Sequence, residues 1–330
     1  MLLQVQDLTT YYKTTRGYVK AAEDIYFEVE KGESLGLAGE SGCGKTTVAL
    51  SILKILPTNA KIVKGKIIFD GIDILSLKED EFREKIRWKG VSIVFQGAMN
   101  ALNPVYKVKD QIVESILLHE KNTSKKEAEE RAAKLFELVG IEPSRIDNYP
   151  HEFSGGMRQR AMIAMSLACN PKLVIADEPG TALDVIVAAQ VFKLMKELQQ
   201  KLNLAMILIT HDLSIIAELC NKCAIMYAGY IVEYADVRRI FKNPIHPYTQ
   251  GLIDAFPSIK AKRRKISSIP GSPPNLLNPP LGCRFHPRCK YAMEICRIEK
   301  PRLIEAEPQH FVSCHFVSRK YSGDSYENNS

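Results

Sequence analysis

Nine residues, Gly39-Glu40-Ser41-Gly42-Cys43-Gly44-Lys45-Thr46-Thr47, constrain this chain more than any other stretch. They follow the pattern G-x-x-x-x-G-K-T, a loop that wraps phosphate. The flanks agree. Leu35-Gly36-Leu37-Ala38 is short and apolar, as a buried parallel strand is. Val48 to Leu56 suits a helix, with Pro57 as its stop. Gly42 and Gly44 let the backbone close around phosphate with its N–H groups turned inward. A helix starting at Lys45 adds the positive end of its dipole. The loop positions Gly39, Ser41, Gly42, Cys43, Gly44, Lys45, Thr46 and Thr47 are therefore candidate nucleotide contacts. Lys45 brings a full charge to the β- and γ-phosphates, and Thr46 a hydroxyl for Mg²⁺. The fold this demands is α/β with a parallel core sheet.

At 330 residues the chain has room for about two domains. No apolar run approaches the roughly 20 residues of a membrane span. Met1 to Val5 lacks a basic region and an apolar core, so a secretory signal is not expected and the cytoplasm is the default compartment. The net charge of +7 permits contact with nucleic acid or an anionic membrane without requiring either. The basic run Lys260-Ala261-Lys262-Arg263-Arg264-Lys265 reads as a solvated linker.

Leu2 to Val5 and Ile25 to Val29 alternate apolar and polar residues, which predicts strands of an antiparallel flap. Tyr11 and Tyr12 follow the first of them, where a ring can stack on a base or pack between strands. Gly65 to Gly71 predicts another strand. Val91-Ser92-Ile93-Val94-Phe95 predicts one ending at Gln96, whose amide can reach Mg²⁺ or an attacking water. Residues from about 100 to 160 turn helical. Ser124-Lys125-Lys126-Glu127 is a capping box, and Gly140 a C-cap.

Ser154-Gly155-Gly156-Met157 opens an apolar helix and forms a second anion-binding helix N-terminus. One nucleotide does not need two such sites from one chain, so this one would serve a nucleotide held by another subunit. Leu173-Val174-Ile175-Ala176-Asp177-Glu178 is a buried strand ending in two acids. Asp177 can hold Mg²⁺ through its water shell, and Glu178 can orient or deprotonate the water that attacks the γ-phosphate. Ala182-Leu183-Asp184 leads into a long helix ending near Leu202. The strand Ala205 to Thr210 ends at His211, which could bond the γ-phosphate.

In this order, the phosphate loop, Gln96, Ser154-Gly155-Gly156, Asp177-Glu178, Ala182-Leu183-Asp184 and His211 resemble the motifs of ATP-binding cassette (ABC) ATPases over about residues 1–240. The resemblance implies a P-loop, RecA-like core with an antiparallel β flap and a helical subdomain at about 100–160. It implies two cassettes that sandwich two ATP molecules head to tail. The loop of one would face Ser154, Gly155, Gly156 and Met157 of the other, with Asp184 beside the site and Tyr12 stacked on adenine. Catalysis would rest on Glu178, His211 and Gln96, and Mg²⁺ on Thr46, Gln96 and Asp177.

His246-Pro247-Tyr248-Thr249, Ile269-Pro270-Gly271-Ser272-Pro273-Pro274 and Gly282-Cys283-Arg284-Phe285-His286-Pro287-Arg288-Cys289 resemble the C-terminal extension of dipeptide and oligopeptide importer ATPases. The signature Phe153-Ser154-Gly155-Gly156-Met157 resembles that branch as well. It departs from the common form at Phe153 and Met157, as does Gly180 where Thr is frequent. None of the three removes a group from phosphate or metal. The resemblance implies a subunit at the cytoplasmic face of the membrane that powers two transmembrane permease subunits. It would pair with a second, similar ATPase subunit, a heterodimer rather than a homodimer. An external binding protein would deliver cargo, and nucleic acid would not be a partner. Peptides are the implied cargo, with nickel or oligosaccharides as alternatives. A soluble ABC ATPase acting on nucleic acid or the ribosome is a further reading, against which the absence of a coiled-coil insertion or a second cassette counts.

Residues 241–330 form a small Cys-rich extension, in which Cys283, Cys289, Cys296 and Cys314 are spaced C-x₅-C-x₆-C-x₁₇-C. A tail this short in apolar runs gains stability from a metal centre. Four thiolates suit a 4Fe–4S cluster, and the resemblance points the same way. Zinc is the alternative, with His286, His310 or His315 replacing one thiolate.

Overall fold

The computed structural model describes residues 1–97, 101–255 and 269–321; the basic run Lys260 to Lys265 lies outside the described residues. The chain forms two compact units that take it in turns. The first comprises Met1–Leu3, Glu28–Ser34 and Ile67–Thr210, the second Gln4–Phe27, Leu35–Lys66 and His211–Ser330.

In the first unit, parallel strands Val91–Val94, Leu173–Asp177 and Ala205–Ile209 lie side by side, with Leu173–Asp177 in the middle. Every residue of the last two is buried. That explains the apolar runs Leu173 to Ala176 and Ala205 to Ile209, since helices cover both faces of such a sheet. Helix Val185–Leu202 buries Val191, Leu194, Met195 and Leu198 along one face and ends at Asn203 in the left-handed region.

The predicted helical stretch contains helices Val108–His119 and Lys125–Leu138, followed by Gly155–Ser166. Ser124 accepts from the N–H of Glu127 (3.3 Å) while Glu127 accepts from the N–H of Ser124 (2.8 Å), so the capping box forms as predicted. Ala128, Ala132, Leu135 and Phe136 face inward. Gly140, at φ +70°, ends the helix, and Arg160 donates to the carbonyl of Val139 (2.8 Å). A helix's last carbonyls have no partner within the helix, so this bond ties the second helix to the third.

In the second unit, the predicted flap strands form within Leu3–Thr14, Gly17–Val29 and Ala60–Phe69. Strand Ser34–Ala38 runs parallel to Lys222–Tyr227, from Leu35 opposite Lys222 to Ala38 opposite Ile225. Gly36 lets helix Leu213–Leu219 approach this sheet: a Cβ there would stand 2.4 Å from Ile216. Ala228 (φ +48°) and Gly229 (φ +87°) then make a two-residue hairpin into Tyr230–Asp236.

Two corrections apply. The helix after the phosphate loop is Lys45–Ile52 rather than running to Leu56, because Lys54 takes φ +52° and leaves the helical region. The Cys-rich tail is more regular than its sequence indicates. Strand His310–Val312 pairs with Tyr230–Asp236, Glu233 opposite Val312, and Ile304–Glu307 pairs outside it. Val312, Cys314 and Val317 form a small apolar cluster there with Ile245 and Ala306.

Candidate nucleotide site

The phosphate loop runs from the end of strand Ser34–Ala38 to the start of helix Lys45–Ile52. Its shape depends on glycines. At Gly39 (φ +147°) a Cβ would lie 2.1 Å from the carbonyl oxygen of Met226, and at Gly44 (φ +105°) 2.0 Å from that of Ala21. Gly42 (φ +77°) has open space where a side chain would be. Lys45 is buried, and its ammonium donates to the carbonyls of Gly39 (2.8 Å) and Glu40 (3.1 Å), with Cys43 Sγ at 3.6 Å. Burial raises the Cys43 thiol above its ordinary range despite the nearby Lys45 charge, so it stays neutral. Ser41 and Thr46 are exposed and Thr47 is buried. A loop lined by helix N–H groups, one ammonium and exposed hydroxyls fits an anion and a hard cation beside it.

Tyr12 is half-buried, and its hydroxyl meets the Thr47 hydroxyl at 3.2 Å. This bond fastens the flap strand to the helix behind the loop. Tyr11 is directed elsewhere, donating to Glu23 (3.0 Å). His211 is exposed, one residue before Asp212, which caps helix Leu213–Leu219.

The first unit brings together another set. Asp177 is buried at the end of its strand, and Glu178 follows at φ +46°. The Glu178 carboxylate accepts from the Gln96 amide (2.9 Å) and from the Thr181 hydroxyl (3.0 Å). Thr181 was not singled out in the sequence; a hydroxyl three residues beyond an acid carries no signal until the turn closes. Ser154 is exposed and caps helix Gly155–Ser166, accepting from the N–H of Met157 (3.3 Å). Gly156 lies against Val187, where a Cβ would be 2.5 Å from Cγ1. Asp184 caps the helix that carries Val187 by accepting from its N–H (2.9 Å). Asp184 thus has a structural role whatever it does toward nucleotide.

Residues 22–181 match the ABC transporter family, and residues 232–296 the family described as oligopeptide/dipeptide transporter, C-terminal region. The dipeptide transport ATP-binding protein DppD of Caldanaerobacter subterraneus subsp. tengcongensis is 42% identical over 316 residues, covering 96% of this chain and 97% of that protein. The chain belongs to the ABC transporter ATPase family. The oligopeptide transport ATP-binding protein OppD of Escherichia coli is 46% identical over 315 residues, covering 95% of this chain and 92% of that one. A solved dimeric ATP-binding cassette in a post-hydrolysis state, bound to ADP and phosphate, superposes with a TM-score of 0.64 at 25% identity. It covers 72% of this chain and 99% of that one. This cassette is accordingly an ATPase with a P-loop fold, as the motifs imply.

Among the described residues of the cassette, no helix is long and apolar enough to cross a membrane. Its four late cysteines are all free thiols. The N–H of Cys283 donates to the carbonyl of Cys296 (2.8 Å). Burial pushes the Cys283 thiol up to about 12 and Cys314 up to about 11, with the neighbouring sulfurs adding to both shifts. The thiols are therefore neighbours. Yet among the described residues no three His, Cys, Asp or Glu side chains are arranged to hold a metal ion. Cys289 Sγ accepts from the N–H of Tyr291 (3.4 Å) and Cys296 Sγ from that of Met293 (3.5 Å), each within its own turn. The arrangement of the described residues thus gives no support to the expected cluster or zinc site. The histidines offered for zinc are engaged elsewhere: His286 with the carbonyl of Cys283 (2.9 Å), His310 with Glu233 (2.6 Å) and His315 with the carbonyl of Glu299 (2.8 Å).

Proposed function

We propose that this cassette hydrolyses ATP to power an importer of dipeptides or oligopeptides, at the cytoplasmic face of a membrane and on two transmembrane permease subunits. The observation that carries the cargo is the C-terminal match at residues 232–296, alongside similarity to peptide-transport ATPases over nearly the whole chain. Lys45 and the loop amides would hold the β- and γ-phosphates, with Tyr12 against the base. Thr46, Gln96 and Asp177 would hold Mg²⁺, whose charge neutralises the phosphates. Glu178 would take a proton from the attacking water, and His211 would steady the γ-phosphate. Support for Glu178 comes from its positioned carboxylate, bonded by Gln96 and Thr181. Ser154 to Met157 would contact the nucleotide of a second, similar ATPase subunit, which an exposed, capped helix N-terminus suits.

The finer assignment of the late cysteines belongs to the same proposal. A 4Fe–4S cluster on Cys283, Cys289, Cys296 and Cys314 is supported by their all-thiol composition and mutual proximity. It would require the sulfurs to turn toward one centre. Brown protein from anaerobic purification, with about four irons per chain, is the result this assignment expects. A colourless preparation with one zinc, or with no metal, would remove it.

Co-expression with candidate permease subunits tests the main reading. The complex, reconstituted in vesicles with its binding protein, should accumulate labelled dipeptide only with ATP, and Glu178→Gln should abolish uptake. Uptake of nickel or an oligosaccharide without peptide would overturn the cargo. ATPase activity that responds to nucleic acid and not to permeases would overturn the transport role.

A further inference from the structure

Arg284, Phe285 and Arg288, inside the run Cys283 to Cys289, take no part in the nucleotide chemistry above, yet this run meets the phosphate loop at two points. Arg288, its side chain 5% exposed, grips Glu40 with both terminal nitrogens, Nη1 to Oε2 at 2.7 Å and Nη2 to Oε1 at 3.1 Å. Its Nε donates to the carbonyl of Pro270 (2.8 Å), which fixes the plane of the fork. Glu40 is the second residue of the phosphate loop. Its N–H donates to the hydroxyl of Tyr248 (3.2 Å), a residue of the His246-Pro247-Tyr248 motif. Its carbonyl accepts from Lys45 (3.1 Å) and from the N–H of Cys43 (3.2 Å).

The second point is indirect. Arg284, 2% exposed, donates to the carbonyl of Ala228 and pairs with Glu23 (2.8 Å). The next residue, Gly229, donates its N–H to the carbonyl of Cys43 (2.9 Å). Between the two arginines, Phe285 packs on Tyr227 (5.1 Å between ring centres) and Tyr248 (5.3 Å).

A glycine-rich loop pays for its freedom when it closes on a ligand, and a brace that fixes it beforehand raises affinity. A bidentate, charge-assisted pair whose arginine is buried is a strong brace. It also neutralises a carboxylate that would otherwise repel phosphate from within the loop. We infer that Arg288, acting through Glu40, is a positioning residue for the phosphate loop, so that the C-terminal extension sets the cassette's affinity for nucleotide. The inference rests on nucleotide binding at this loop and not on the cargo.

Nucleotide binding by the full chain tests it, with MgATP titrated calorimetrically in the Glu178→Gln background. Arg288→Gln should raise Kd by about tenfold. Adding Glu40→Gln to Arg288→Gln should recover most of that loss, because the repelling carboxylate is gone. Arg288→Lys, which keeps the charge and loses the fork, should fall between. With Glu178 restored, Arg288→Gln should raise KM for ATP while kcat at saturation stays within about twofold, as loss of uniform binding predicts. Should Arg288→Gln fail to fold by thermal melting, Arg288→Lys carries the measurement. A wild-type Kd in whichever variant folds would overturn the inference, as would a loss that Glu40→Gln does not relieve. In those cases Arg288 merely anchors the tail.

Discussion

Glu178 sits in a backbone region that residues other than glycine avoid, at a cost of about 1–2 kcal/mol. The contacts around it hold it there: its N–H donates to the carbonyl of Ile209 (2.9 Å), while Gln96 and Thr181 fix the carboxylate. Strain stored in this way suits the role proposed for Glu178, an acid aimed at the attacking water. Glu178→Gln keeps the shape and the bond to Thr181 but removes the proposed base. ATP binding should persist, and hydrolysis in the assembled transporter should fall by about 10²–10⁴. Hydrolysis at the wild-type rate would refute the assignment. Lys45→Ala should instead weaken ATP binding itself, since the ammonium is the group proposed to meet phosphate and ties Gly39 to Glu40. Thr181→Ala removes one of two aiming bonds and should cost kcat less than about tenfold, with KM unchanged.

At the scale of elements, helix Pro247–Asp254 shows how the extension is fastened. His246 caps it through Nδ1, which accepts from the N–H of Tyr248 (3.0 Å), and Pro247 opens the first turn. The His246 N–H in turn donates to the buried Glu233 carboxylate (2.9 Å), which also bonds His310 on the tail's own strand. Burial lowers the His246 pKa from 6.5 to about 4. A proton on Nδ1 would destroy the cap. With the folded value below the unfolded one, this stability is present above pH 6.5 and is lost as pH falls from 6.5 toward 4. The melting temperature should drop across that window, and His246→Asn, which keeps a capping acceptor, should flatten the drop. An unchanged slope in His246→Asn would show that another group governs it. The cap could not be read from sequence, because a lone His gives no sign of its surroundings. Helix Lys125–Leu138 could be, since its capping box and apolar stripe are local. The buried strands Leu173–Asp177 and Ala205–Ile209 could be as well, since burial on both faces leaves apolar runs, broken only by the acid at the end of the first. Strand His310–Val312 could not, because its partner Tyr230–Asp236 is remote in sequence and its own pattern spans three residues.

For the whole molecule the same contrast decides what was legible of the site. Each motif declared itself because phosphate chemistry fixes residue types at close spacing, as in Gly42 to Thr46. The grip of Arg288 on Glu40 joins residues 248 apart and has no such signature. What one chain holds also sets a limit on what it can do alone. Its sequence has one phosphate-loop motif, but its exposed Ser154 caps the helix N-terminus proposed for a partner's nucleotide, where Gly156 lies against Val187; the two residues before Val187, Val185 and Ile186, are 86% and 73% exposed. Two apolar side chains left in water beside such a site suit an interface that forms only when nucleotide is present. Isolated cassettes should therefore be mainly monomeric and turn over ATP slowly. ATP that binds but is not cleaved should draw two together, because each nucleotide then contacts both chains and ligand binding favours the state that holds it more tightly. Sedimentation of Glu178→Gln with MgATP should show more dimer than without nucleotide, and Ser154→Arg, a bulky cation at the cap, should abolish the increase. If the permease complex uses a second, similar subunit in place of a second copy, mixing the two chains should give the larger shift. Vigorous ATP hydrolysis by a species that stays monomeric throughout would overturn the two-chain site.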